Sequence, residues 1–153
     1  MTATYFIDLI NSFYPIKLPS PNTYKLLSMT LTYMNTNAEP GNILEAFQIK
    51  TLCALGIKLN YKICTKCNTL LSNLSATKYS FSFNELTCNN CKSNNTYIDK
   101  NALTFIEKIS TSPIHDFLGL AADQNSISSL RNYVDFHIDS HLGKHLKSRD
   151  LAL

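Results

Sequence analysis

Cys64-Thr65-Lys66-Cys67 and Cys88-Asn89-Asn90-Cys91 bracket the stretch that decides this fold: two Cys-x-x-Cys knuckles separated by 20 residues. Two intervening residues let one tight turn aim both sulfurs at a single ion, and a hairpin of about 20 residues brings the second turn opposite the first. The spacing therefore predicts a zinc ribbon with Cys64, Cys67, Cys88 and Cys91 as a four-sulfur tetrahedron. Four protein ligands leave no open coordination position, so the one Zn2+ is expected to be structural rather than catalytic. Its binding would contribute on the order of 10 kcal/mol or more to folding this segment. The competing readings are four free thiols paired by chance and a redox-active Cys-x-x-Cys.

Around the ribbon, 153 residues suffice for one ordinary domain plus a small metal-stapled insert. The charged fraction of 16% is low, so Asn, Ser and Thr must solvate much of the surface. The formal charge of +3 falls to about +1 once four zinc-bound thiolates are counted, so bulk charge selects no partner. Its distribution is more informative: Arg131, Lys144, Lys147 and Arg149 cluster near the end, among His137, His141 and His145, with Asp135, Asp139 and Asp150 partly offsetting them. Five cysteines is an odd number, and their paired spacing argues for metal rather than disulfides and for a reducing cytoplasm. The amino terminus lacks a basic region and meets Asp8 early, unlike a signal peptide. No window approaches 18 uninterrupted apolar residues, so no membrane span is expected.

Helical periodicity covers most of the remainder. Phe6, Leu9, Ile10 and Phe13 form one stripe, ended by Pro15 and followed by a linker over 16–19. Ser20 as N-cap and Pro21 at the first position open a second helix with the stripe Tyr24, Leu27, Leu31 and Met34. Asn42 is the expected cap of a third, Ile43 to Leu55, apolar around most of its circumference and therefore placed mid-core, with Gly56 as its left-handed stop. Cys53 reads as a buried small thiol in that helix. Between the knuckles, Tyr79, Phe81 and Phe83 alternate with Lys78, Ser80 and Ser82, a half-exposed strand whose aromatic face docks the ribbon or, in a rival reading, stacks on bases. A helix begins at Asp99 or Asn101 and runs through Ile109. Ser112-Pro113 opens another through Ile114, Phe117, Leu118 and Leu120, and Ser126 is the expected cap of the last, whose stripe Ile127, Leu130, Val134, Ile138 and Leu142 stops at Gly143. The expected fold is mainly α: a bundle-like helical domain formed by residues 1–59 and 99–153, with an inserted four-cysteine zinc ribbon of short hairpins over residues 60–98.

This order of elements resembles the carboxy-terminal region of the bacterial recombination mediator RecO. Leu55-Gly56 lies shortly before the first knuckle and Phe81-Ser82 before the second. Tyr133-x-x-x-His137-x-x-x-His141-Leu142-Gly143 and Leu146-Lys147-Ser148-Arg149 complete the match. The resemblance spans nearly the whole chain. It departs at 84–87, where several members carry glycines, and nothing before Thr4 corresponds to the OB-fold with which full-length members begin. What the resemblance implies is a non-enzymatic, cytoplasmic, nucleoid-associated protein of DNA repair and recombination. Such a protein associates with RecR, captures the acidic, Phe-ended tail of the single-stranded DNA-binding protein SSB, and helps place RecA on SSB-coated strands. DNA binding is expected to be weak without the OB-fold. By charge, Arg131, Lys144, Lys147 and Arg149 are the candidates for partner or phosphate contacts. Two other classes compete. One is a nucleic-acid-binding ribbon protein of transcription or translation using Lys62, Lys66, Lys78 and Lys92 with Tyr79 and Phe81. The other is a metal hydrolase built on the three late histidines, which lack the neighbouring carboxylate base of His-Glu-x-x-His.

Overall fold

A computed structural model describes residues 2–14, 20–36, 42–92, 94–116 and 123–152. Its centre is the helix that is apolar all round, here α3 (Ile43–Ala54), preceded by α1 (Thr2–Phe13) and α2 (Pro21–Thr36). A three-stranded ribbon follows, β1 (Lys78–Ser82), β2 (Glu85–Thr87) and β3 (Tyr97–Asp99), and the chain closes with α4 (Lys100–Thr111), α5 (Gln124–Leu142) and the single-turn α6 (Lys147–Asp150). α3 packs against α1, α2, α4 and α5. Nearly every residue from Ile43 to Leu52 is buried, including Glu45 and Gln48, as a helix without a polar face requires. Phe47 stacks on Phe6 of α1 with ring centroids 4.1 Å apart. Among the described residues no helix is long and apolar enough to cross a membrane.

The sheet order is β2-β1-β3, antiparallel throughout, with Phe81 opposite Leu86 and Tyr79 opposite Ile98. The β1–β2 turn is made by Phe83 and Asn84, and Asn84 takes the left-handed φ of 59°. Asparagine tolerates that conformation, so the turn closes without a glycine. Tyr79 and Phe81 are buried and Phe83 is half exposed. Phe81 meets Tyr133 and Phe136 of α5 edge-on at 4.9 and 5.5 Å, which is the docking role expected of the aromatic row. A stacking role on bases is thereby closed to Tyr79 and Phe81. Ser80 is buried too, so the strand is covered on both faces rather than half exposed.

Several local expectations are corrected. On α2 the expected stripe holds at Leu27, Leu31 and Met34, which pack partly buried against the core, but Tyr24 is 75% exposed and the most buried positions are Thr23 and Thr30. The two hydroxyls are satisfied inside the fold: Thr30 donates to the Leu26 carbonyl, and Thr23 donates to Tyr14 Oη at 2.8 Å. Asn42 makes no side-chain cap on α3. Cys53 is exposed rather than buried, because only the first three turns of α3 are enclosed. The cap of α5 is Asp123, whose carboxylate accepts from the Ser126 N–H at 2.8 Å. Hydrogen bonding from the Ser126 hydroxyl first, and from its N–H next, pulls the Asp123 pKa below its ordinary value. Gly56 and Gly143 stop their helices at φ of 76° and 65°, as expected. The chain after Pro113 forms one 3-10 turn, Ile114–Asp116; Phe117, Leu118 and Leu120, and the linker over 16–19, lie outside the described residues.

Candidate metal centre

Each knuckle is built by backbone hydrogen bonds before any metal is considered. In the first, Cys64 N–H donates to the Thr69 carbonyl and Asn68 N–H to the Cys64 carbonyl, both at 2.9 Å. The turn closes because Asn68, next after Cys67, adopts φ of 58°. Asn60 braces the approach, its side-chain oxygen accepting from the Lys62 and Ile63 N–H groups while its amide donates to the Ile63 carbonyl. In the second knuckle Cys91 N–H returns to the Cys88 carbonyl at 3.0 Å. Thr65 N–H then donates to the Leu86 carbonyl on β2 at 2.8 Å, holding one turn against the other.

The result is convergence of all four sulfurs, every pair within 4.8 Å. Cys67 Sγ lies 3.7 Å from Cys88 Sγ. A tetrahedron with Zn–S bonds of about 2.3 Å has edges of about 3.8 Å, so this pair already stands at zinc-ligand separation. Cys64 and Cys88 are buried, Cys91 is half-buried and Cys67 is exposed. The site therefore lies at a rim that a metal can reach. As thiols the four are inequivalent. Hydrogen bonding to Thr69 pulls Cys67 down to about 6. Cys91, hydrogen-bonded first to Cys88 and then to Cys67, is pushed up to about 12. Burial raises Cys64, but the backbone N–H groups of Cys67, Cys88 and Lys66 outweigh it and leave that thiol below its ordinary value. A set of four converging sulfurs, one already favouring thiolate, can hold a soft or borderline metal ion and offers it no vacant position for substrate.

Of the four cations singled out by charge, the fold commits two to itself. Arg131 forms a 2.6 Å ion pair with Glu45, a carboxylate 1% exposed on α3. Arg149 is 3% exposed. It forks onto Asp139 with hydrogen bonds of 2.7 and 3.0 Å, approaches Asp135 at 3.3 Å, and lies over the Tyr5 ring. Burial opposes its charge, but Asp139 first and Tyr5 next hold the guanidinium protonated well above its ordinary value. These two arginines join α5 to α3 and α6 to α5 and α1, so neither presents a free guanidinium to a partner. Lys144 and Lys147 are exposed.

The histidines do not converge. His137 is buried between Tyr133 and Phe136, with its Nε2 unpartnered, and His141 Nδ1 lies 2.7 Å from the His137 carbonyl. His145 bridges Asp139 and Asp150, the first of which does most to raise its pKa. Among the described residues, the four cysteines are the group of metal-ligating side chains that comes together. The buried tie of Gln48 to Tyr5 and Asp135, each at 2.8 Å, had no signal in the sequence because its members are 43 and 87 residues apart.

A helical body carrying a four-cysteine ribbon seated on its longest helix is thus the class that fold and site define. The family described as "Recombination protein O C terminal" matches residues 1–150, and this chain belongs to it. It is 31% identical over 107 residues to the DNA repair protein RecO of Caldicellulosiruptor saccharolyticus, covering 70% of this chain and 42% of that protein. The DNA repair protein RecO of Enterococcus faecalis is 22% identical over 149 residues, 95% of this chain and 56% of the relative. For that of Listeria monocytogenes serotype 4b the figures are 22% over 150 residues, 96% and 58%. The chain therefore spans about half the length of these relatives. No solved structure matches it significantly.

Proposed function

We propose that this chain acts in DNA repair and recombination as the zinc-carrying, non-enzymatic docking region of a RecO-type mediator. The observation that carries the reading is the family match over residues 1–150, with the four cysteines converging as a ribbon within it. The ion is one structural Zn2+ per chain: four cysteine sulfurs within 4.8 Å of one another suit zinc and leave no open position. The partners are RecR, the acidic Phe-ended SSB tail, and DNA, and the outcome is assistance in loading RecA on SSB-coated single strands in the cytoplasm at the nucleoid. Capture of an acidic tail needs an exposed basic rim. Because Arg131 and Arg149 are engaged internally, that rim is reduced to Lys144 and Lys147.

The reading is tested with a fluorescent acidic Phe-ended tail peptide against the zinc-loaded chain. Micromolar affinity that weakens with salt is expected, together with one zinc per chain by metal analysis. The charge-reversing pair Lys144→Glu and Lys147→Glu should weaken binding. Unchanged affinity would remove both lysines from the contact, and absence of zinc from protein purified without chelator would remove the ion.

A further inference from the structure

Beside the second knuckle lies an open groove of about 660 Å3, lined by Lys78, Asn89, Lys92, Tyr97 and the segment 75–77. Its lining carries two cations and no carboxylate. Lys78 is 65% exposed and only loosely paired, its Nζ 3.9 Å from Asp99. Lys92 is exposed, and among the described residues no carboxylate lies within ion-pair distance of it. Tyr97 stands on β3 opposite Ser80, partly exposed, whereas the next residue, Ile98, is buried. Alternation along β3 thus sends Ile98 inward and puts Tyr97 in the groove. The rest of the lining is neutral: Ser75, Ala76, Thr77 and Asn89.

We propose that this groove binds single-stranded nucleic acid, with Tyr97 stacking on a base, Lys78 and Lys92 on the flanking phosphates, and Asn89 and the segment 75–77 supplying neutral hydrogen bonds. An accessible aromatic face between two cations is the combination by which single strands are held without sequence preference. An acidic peptide is the poorer fit, because its apolar anchors need an enclosed greasy pocket, and this groove is open with Ala76 and the Tyr97 ring as its only apolar side chains. The lysines have one other role open to them, as counter-charges to an anionic four-thiolate metal centre, since Lys92 directly follows Cys91. The proposal deepens the DNA-contact part of the mediator reading, and the two fail separately: one is read with a tail peptide, the other with an oligonucleotide.

The test is fluorescence anisotropy of a labelled oligo(dT) with the full zinc-loaded chain across a salt titration. Each lysine-phosphate contact on a single strand contributes about 0.7 to the slope of log affinity against log salt, so Lys78→Gln with Lys92→Gln should lower that slope by about 1.4. Tyr97→Ala should weaken binding about tenfold, and Tyr97→Phe, which keeps the ring, should bind like the parent. Zinc content and circular dichroism verify folding; if Tyr97→Ala fails to fold, Tyr97→Leu and the lysine pair decide the matter. Loss of affinity and slope with zinc retained supports the groove. No oligonucleotide binding by the parent, unchanged slope in the lysine pair, equal binding of a polyglutamate peptide, or loss of zinc instead of affinity would each overturn it.

Discussion

Replacing Arg131 with Met would leave the Glu45 carboxylate, 1% exposed, facing α5 without its counter-charge. Methionine keeps the aliphatic stem, so packing changes little and the loss is electrostatic. Removing one partner of a buried ion pair costs about 3–5 kcal/mol, because the remaining charge is desolvated and uncompensated. Arg131 is itself 32% exposed, so water relieves part of that cost and the lower end, about 3 kcal/mol, is the expectation. A urea m-value of about 1.5–2 kcal/mol/M for a domain of this size turns that into a midpoint lowered by about 1.5–2 M. The assay is equilibrium urea unfolding at neutral pH with zinc present, followed by circular dichroism. Adding Glu45→Gln to the Arg131→Met background removes the stranded charge and should restore more than half of the loss. A midpoint within about 0.3 M of the parent for Arg131→Met would refute the argument and return Arg131 to the pool of partner-facing cations.

Other outcomes follow from the same geometry. Cys67→Ser, or a strong chelator applied to the parent, should release the metal and melt the ribbon, because binding of about 10 kcal/mol exceeds or rivals the whole stability of such a domain; loss of zinc with unchanged near-ultraviolet dichroism and unchanged melting would contradict this. His137 is held at about 4 by burial and then by His141. The unfolded chain takes up that proton near its ordinary value of about 6.5 and the folded chain does not, so this contribution is complete above pH 6.5 and is lost as pH falls toward 4, by about 3 kcal/mol. His137→Phe keeps the aromatic packing, and the part of the acid lability not due to zinc loss should flatten by that amount in a pH series of unfolding midpoints. Gly143→Ala should cost about 1–2 kcal/mol in thermal or urea unfolding from backbone strain alone, since a Cβ there meets no atom within 4 Å.

The ribbon was legible because metal chemistry writes its geometry into spacing: two residues between sulfurs and about 20 between pairs admit few alternatives. The all-round apolar α3 and the two left-handed glycine stops were legible for similar reasons, each following from one local rule. On α2 only Leu27, Leu31 and Met34 of the expected stripe were, and its two most buried positions were not. Thr23 and Thr30 read as surface residues, yet a hydroxyl that bonds the preceding turn or a neighbouring Tyr14 is nearly as buriable as valine. The internal engagement of Arg131 and Arg149 was hidden for a different reason. Charge clusters are read along the chain, whereas Arg131 finds Glu45 across 86 residues and Arg149 finds Tyr5 across 144. The signature Tyr133, His137 and His141 likewise carried no visible reason until Phe81 and Phe83 were seen resting edge-on against that face of α5.

β3 ends at Asp99 and α4 begins at Lys100, with the Asp99 N–H clamped at 2.8 Å to Ser129 of α5. Tyr133 fastens the other root of the ribbon by donating to the Asn60 carbonyl, also at 2.8 Å. A module grafted on by two such stubs behaves as a gusset and not as a pendulum. Torque applied at its tip is delivered straight into the helices, and a spacer spliced in at Asp99–Lys100 would uncouple the two halves, while one spliced in at Phe83–Asn84 would not.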